Sequence, residues 1–176
     1  MTWVRVSRVV VGAALLSTLL LAACGSAVSQ PEEALTLNNL FQGYSLAYPA
    51  GYDVVLYQEN GVALVVDSLL NVEDARLDIT VEPAQGRSAE QSAADFAAEY
   101  PGFELAQSTI RLGGEPAVVL ESVPGQELTR VVLAVHADQL FTLRFIPADP
   151  DQEEAFAMME DLYDRVTESF VFDPAP

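Results

Sequence analysis

The stretch Arg76–Glu82, "RLDITVE", alternates without a break. Leu77, Ile79 and Val81 leave one face of an extended chain, and Arg76, Asp78, Thr80 and Glu82 leave the other, because successive strand side chains point to opposite sides. Strict period two over this length specifies a strand with one buried face. Such a strand belongs to a sheet that another layer has to cover.

The neighbouring segments supply the rest of that sheet. "YSLAYP" (Tyr44–Pro49) alternates and is closed by Pro49-Ala50-Gly51. "DVVLYQ" (Asp53–Gln58) and "VALVVD" (Val62–Asp67) are β-rich runs around Glu59-Asn60-Gly61. Asn-Gly between two such runs signals a hairpin. Downstream, apolar ends at Phe103 and Leu112 bracket a strand whose alternation slips at Gln107-Ser108, which predicts a bulge there. Gly113-Gly114 turns the chain into Ala117–Ser122, and Pro124-Gly125 turns it again. Leu128–His136 and Gln139–Ile146 form an expected hairpin around Ala137-Asp138. Val131, Leu133 and Val135 share one face of the first strand, and Phe141, Leu143 and Phe145 share one face of the second.

Two segments have helical period. Ser88 followed by Gln91 fits a capping box, Ala89, Ala93, Phe96, Ala97 and Tyr100 share a face, and Pro101-Gly102 stops the helix. The second segment has Asp149 as expected cap and Pro150 as first helical residue, with Asp151, Glu153 and Glu154 near the positive dipole end. Its apolar arc holds Ala155, Phe156, Met159, Leu162, Tyr163, Val166 and Phe170. Glu160, Asp161, Asp164, Arg165 and Glu168 lie outside that arc and are expected in solvent. A Met-aromatic stripe of this kind is read as the cover of the sheet rather than a partner groove.

Three phrases in order resemble PsbP-like and DcrB-like domains. "GYSLAYPAGYDV" (Gly43–Val54) resembles their opening, with Tyr52 where Trp is common. "LGGEPAVVLE" (Leu112–Glu121) resembles a central hairpin, and "RVTESFVF" (Arg165–Phe172) a closing helix end. The resemblance runs from about Phe41 to Phe172. It implies an α+β fold, an α/β/α sandwich with a mainly antiparallel sheet covered by helices. Family members include a photosystem II extrinsic subunit, a Ran-binding import factor and bacterial lipoproteins. Their shared property is binding other proteins without a common catalytic set.

The N-terminus has a different logic. Arg5 and Arg8 precede an uncharged apolar run, Val9–Leu21, then Ala22, Ala23 and Cys24. Basic, apolar and small residues in that order form a secretory signal peptide. The run is shorter than the roughly 18–20 residues a spanning helix needs. Leu21-Ala22-Ala23-Cys24 holds the only cysteine and resembles the lipobox of bacterial lipoproteins. That resemblance implies cleavage after residue 23, a diacylglycerol on the Cys24 sulfur and an acylated amine, with palmitate expected among the chains. Two or more chains anchor stably, at about 0.8 kcal/mol per buried CH₂. The expected organisation is a signal peptide over 1–23, a lipidated Cys24 with a small, polar, acidic tether over 24–39, and one domain over 40–176. The expected location is extracytoplasmic, anchored by lipid to the cell membrane or envelope.

Charge and composition limit the chemistry. All 26 acidic residues follow Cys24, together with six of the eight basic ones, so the mature chain carries a formal 6 − 26 = −20. Every basic residue is Arg. Such a surface repels phosphate backbones, so nucleic acid is not an expected partner. With Cys24 acylated there is no free thiol and no disulfide, and the lone histidine, His136, has no companion for a zinc or copper site. His136 is read as a surface residue at a strand end. No Gly-x-Ser-x-Gly elbow, phosphate loop or lysine base is present. Asn71–Asp78 and Ala148–Glu154 are rich in acids, but lack the glycine-centred calcium loop. No catalytic residue, cofactor or metal is assigned.

The expected function is a membrane-anchored, non-enzymatic protein-interaction module with an envelope or extracellular protein as partner. Two alternatives stand beside it. One is a carrier of a small apolar ligand or lipid, with a cavity lined by Phe141, Phe145 and the last helix. The other is a carboxylate-based hydrolase, with two acids about 5–10 Å apart in a cleft. Changing Cys24→Ala should abolish incorporation of labelled fatty acid and leave precursor or freely released protein. Normal labelling of that variant would remove the lipoprotein expectation.

Overall fold

The computed structural model describes residues 34–56, 65–71 and 75–172. The expected signal peptide, Cys24 and the expected turn at Glu59-Asn60-Gly61 lie outside the described residues. Seven strands build the main sheet. They are β3 (Tyr52–Val55), β4 (Val65–Asn71), β5 (Arg76–Pro83), β6 (Gln107–Leu112), β7 (Glu115–Val123), β8 (Thr129–His136) and β9 (Gln139–Ile146), in the spatial order β3-β4-β5-β9-β8-β7-β6. A smaller sheet places β2 (Tyr44–Pro49) between β1 (Ala34–Asn39) and β10 (Val171–Phe172). Every pairing in both sheets is antiparallel. Helices α1 (Ala89–Ala98) and α2 (Glu153–Ser169) take opposite faces of the main sheet. The fold is α+β, as the element order and the resemblance implied.

The alternating strand does what its pattern demands. Leu77, Ile79 and Val81 are buried on the α2 side, opposite Phe145, Leu143 and Phe141 of β9. They share one core with Met159, Leu162 and Val166 of α2, and with Tyr44 and Leu46 of β2. The α2 arc is therefore a core face. Phe156 and Tyr163 sit half-buried at its margin. A second, smaller core lies under α1, where Ala89 and Ala93 meet Val118, Leu120, Val131 and Leu133. Its alanines let α1 approach the sheet closely. The predicted capping box is present: the Gln91 amide N–H donates to Ser88 Oγ, and the Ser88 amide N–H donates to Gln91 Oε1.

Four expectations are corrected. Ala34–Asn39, expected as tether, is strand β1. Its alternation buries Leu37 and Asn39 while pairing Ala34–Asn39 with Pro49–Tyr44, so strand structure reaches back six residues before position 40. The slip at Gln107-Ser108 is the start of β6 and not a bulge, and Phe103 is left 61% exposed. The irregularity falls instead in β7 between Leu120 and Val123, where Ser122 takes φ +53°. Helix α2 begins at Glu153. Asp149 holds the preceding turn, with its Oδ1 accepting from the Asp151 N–H (3.1 Å) and its carbonyl from the Gln152 N–H (3.0 Å). A proline after an Asp suits such a turn as well as a helix start. Finally, Glu160 does not stand free in solvent but reaches Arg130 of β8.

The domain closes on itself through Ser169, Phe170 and Phe172. Ser169 Oγ accepts from the Ala47 N–H (2.8 Å), Phe170 stacks on Tyr44 (5.5 Å between centroids, 10°), and Phe172 pairs with Tyr44 across β10–β2. Phe172 also lies against the Gly113-Gly114 turn, where a Cβ on Gly113 would come within 2.6 Å of its ring. Gly113 therefore serves twice, for a positive φ of 56° and for this close approach. Leu162→Ala and Phe170→Ala should each lower the unfolding free energy by about 2–5 kcal/mol in urea titrations, as large-to-small core changes do. Gly113→Ala should cost about 1–3 kcal/mol through backbone strain and displacement of Phe172. The exposed Glu154→Ala should stay within about 0.5 kcal/mol. Equal small effects for all four would refute the core assignment.

Candidate functional site

The two faces of the main sheet are covered unequally. Strands β7 and β8 are apolar on both faces, whereas β5 and β9 present Asp78, Thr80, Glu82, Thr142 and Arg144 toward the α1 side. Helix α1 has ten residues, or about 15 Å at 1.5 Å per residue. Its apolar stripe matches β7 and β8 and lies over them. Among the described residues, the polar halves of β5 and β9 are left as the floor of an open groove, with one side of α1 as its wall.

The groove divides into two clefts. The larger, ≈ 470 Å³, is lined by Thr80, Glu82 and Thr142 from the floor, by Ser92 and Asp95 from α1 and by Glu99 just past its end. The smaller, ≈ 230 Å³, is lined by Arg76, Tyr100, Glu127 and Thr129. Asp78, Phe96 and Arg144 line both and form the divide between them. The Arg144 guanidinium lies over the Phe96 ring, 5.6 Å from its centroid, within cation–π range. Asp78 is directly opposite Arg144 in the β5–β9 register but is engaged elsewhere: its Oδ1 accepts from Ser68 Oγ (2.8 Å), and its Oδ2 faces Arg76 (3.6 Å). Arg87 similarly meets Asp95 (3.4 Å). The Ser92 hydroxyl is buried and has no hydrogen-bond partner among the described residues.

A second charged cluster lies on the α2 side. Arg130, with only 12% of its side chain exposed, donates through Nε to Glu121 (2.8 Å) and brings an Nη to 2.7 Å from Glu160. The Glu160 contact is a close ion pair rather than an aligned hydrogen bond, since that carboxylate oxygen has no hydrogen-bond partner of good geometry among the described residues. The guanidinium also sits 4.4 Å from the Tyr163 ring centroid. Burial would lower the Arg130 pKa, but Glu160 and Glu121 outweigh it and the pKa is raised, so the cation is locked on. This cluster staples α2 to β7 and β8. Reading Glu160 from helical spacing alone missed it, because the partner cation is distant in sequence.

The other singled-out residues find structural employment. His136 Nδ1 lies 3.0 Å from Glu115 Oε1, and its ring stacks on Phe172 (4.6 Å, 8°). It is a half-buried brace between the end of β8 and β10. Asp149 shapes a turn. Among the described residues no three His, Cys, Asp or Glu side chains gather as a metal-holding group, and no helix is long and apolar enough to cross a membrane. Cys24 lies outside the described residues.

No family model and no curated protein matches the chain. Solved structures do. The solution structure of cyanobacterial PsbP (CyanoP) from Synechocystis sp. PCC 6803 aligns over 86% of this chain and 98% of its own, with a TM-score of 0.53 and 13% identity. The architecture is PsbP-like. At that identity the likeness concerns the fold alone. The crystal structure of LpqN, described as involved in cell envelope biogenesis of Mycobacterium tuberculosis, aligns over 84% of this chain and 88% of its own, with a TM-score of 0.38 and 14% identity.

Tyr163 offers a check on the stapling cluster. Burial raises its phenol pKa, and Arg130 opposes this without cancelling it. An unfolded tyrosine ionises near pH 10, so the contribution of the neutral phenol is complete below about pH 10 and is lost as pH climbs toward the raised folded value. Tyr163→Phe should flatten the alkaline fall of the unfolding midpoint and leave its slope between pH 6 and 9 unchanged. Arg130→Ala should cost roughly 1–3 kcal/mol, less than a fully buried pair because both carboxylates keep about a third of their surface in water.

Proposed function

We propose that the chain is a lipid-anchored extracytoplasmic protein whose domain is a non-enzymatic protein-interaction module, with the groove beside α1 as its contact surface. The observation that carries this reading is the half of the sheet face that the described residues leave uncovered, polar and lined by charges of both signs. A sheet face of this kind gives an extended or flat partner hydrogen-bonding and charged groups in a rigid frame. The N-terminal basic, apolar and Leu21–Cys24 pattern supports lipid at Cys24 as the anchor, with residues 1–23 removed and the segment from Cys24 to the first strand as tether.

The carrier alternative draws less support. Phe141 and Phe145, expected to line a cargo cavity, are in ring contact with Tyr44, Phe170, Phe172 and Tyr163, so that side of the sheet is filled by the chain's own aromatics. The hydrolase alternative has four acids lining the larger cleft, but Asp78 and Asp95 are already held by Ser68, Arg76 and Arg87. The test is crosslinking of the native protein in its own membrane, followed by identification of what is attached. One recurrent protein partner is the expected result. Recovery of stoichiometric lipid with no recurrent protein would overturn the reading in favour of the carrier.

A further inference from the structure

We infer that Arg144 at the divide of the groove is a carboxylate-binding point, and that the partner segment it takes is an extended, net basic peptide carrying one acidic side chain. The inference rests on the interaction-module reading and specifies its partner.

The first observation is an unspent cation. The chain holds 26 acids and 8 bases. Arg76, Arg87, Arg130 and Arg165 are each ion-paired, and Arg111, without an ion pair among the described residues, donates instead to the Gly114 carbonyl (2.6 Å). Arg144 is exposed and makes no ion pair among the described residues. Acids are not lacking nearby. The carboxylate directly across the ladder, Asp78, is turned away by Ser68 and Arg76. The neighbours thus withhold from Arg144 the anion that a strongly acidic surface would otherwise supply.

The second observation is position. The Arg144 guanidinium carbon lies over the Phe96 ring, 5.6 Å from its centroid. The guanidinium makes no hydrogen bond or ion pair among the described residues, so the N–H fork that takes a carboxylate in two parallel hydrogen bonds is not already engaged. The cation is therefore positioned in advance, with less side-chain entropy to lose on binding.

The third observation is charge on either side of the divide. In the larger cleft Glu82, Asp95 and Glu99 outnumber Arg87, and in the smaller Asp78 and Glu127 outnumber Arg76, so net negative charge flanks Arg144 on both sides. A polyanion such as a nucleic acid or a sulfated glycan would gain one cation not already ion-paired and meet a net negative lining. A peptide with one acidic residue and Lys or Arg before and after it satisfies both the centre and the flanks. Successive side chains on one face of an extended peptide are about 6.6 Å apart, two residues at 3.3 Å each, so neighbouring side chains can straddle the divide. Thr80, Thr142 and Ser92 add hydroxyls to the larger cleft.

The experiment is selection from a displayed library of random ten-residue peptides on the full-length chain in detergent, followed by binding of the enriched peptides to variants. The expected pool has one Asp or Glu flanked by Lys or Arg. Replacing that acid by its amide should weaken binding at least tenfold. Arg144→Gln should bring the acidic peptides down to the level of their amides, with its unfolding midpoint unchanged, and Arg144→Lys should recover only part of the loss, since it restores charge without the fork. No enrichment, a pool without acidic residues, or equal binding to wild type and Arg144→Gln would each overturn the inference. Those results would leave the interaction-module reading intact wherever membrane crosslinking still recovers a recurrent protein. Failure of the crosslinking would instead count against that reading itself.

Discussion

The closure of β10 onto β2 is the constraint from which the rest of the structure follows. Tyr44, at the start of β2, meets Phe170 and Phe141, and Phe172 pairs with β2 while resting on Gly113. Segments around Tyr44, Gly113 and Phe170, far apart in sequence, therefore meet around one aromatic cluster. Ring pairs of this sort contribute about 0.5–1.5 kcal/mol each beyond the area they bury. Their larger effect is geometric: they place the end of α2 and leave it one route back across the main sheet. The three phrases by which the sequence resembles PsbP-like domains, around Tyr44, Gly113 and Ser169-Phe170, are the three parties to this contact.

With α2 and the small sheet committed to one face, the other face depends on α1. This helix is short and alanine-rich, so it binds tightly over a narrow strip. Its reach ends where β9 and β5 turn polar. The groove is therefore a consequence of helix length set against sheet width. Seven strands at about 4.8 Å spacing are wider than one helix of about 10 Å diameter can cover.

Charge is distributed in keeping with that division. Acids outnumber bases so heavily that an arginine needs a reason to be unpaired. Arg130 is enclosed by two carboxylates and a tyrosine ring and acts as a staple, whereas Arg144 faces an aromatic ring and open solvent. The same residue type, one strand apart, is structural on one face and available on the other. The cause is pleat parity: positions 130 and 144 leave the sheet on opposite sides.

Much of this was legible in the residues. The period of Arg76–Glu82, the capping box at Ser88, the Gly113-Gly114 and Ala137-Asp138 turns and the α2 stripe are local signals, and each of these elements formed as read because its energetics are local: steric preference, cap hydrogen bonds and one-sided burial. Boundaries were less legible. Asp149-Pro150 suits a turn or a helix start, and the slip at Gln107 suits a bulge or a strand end, so nearby tertiary contacts chose between them. The pairing of Glu160 with Arg130, the turning of Asp78 away from Arg144, and the uncovered floor beside α1 had no signature in the chain. They depend on which strands become neighbours and how far a helix reaches across them. The sequence by itself determined most of the elements and their buried faces, strand β1 excepted. Only the tertiary structure decided which charges were spent inside the fold and which were left for a partner, because ion pairing depends on distance in space and not on spacing along the chain.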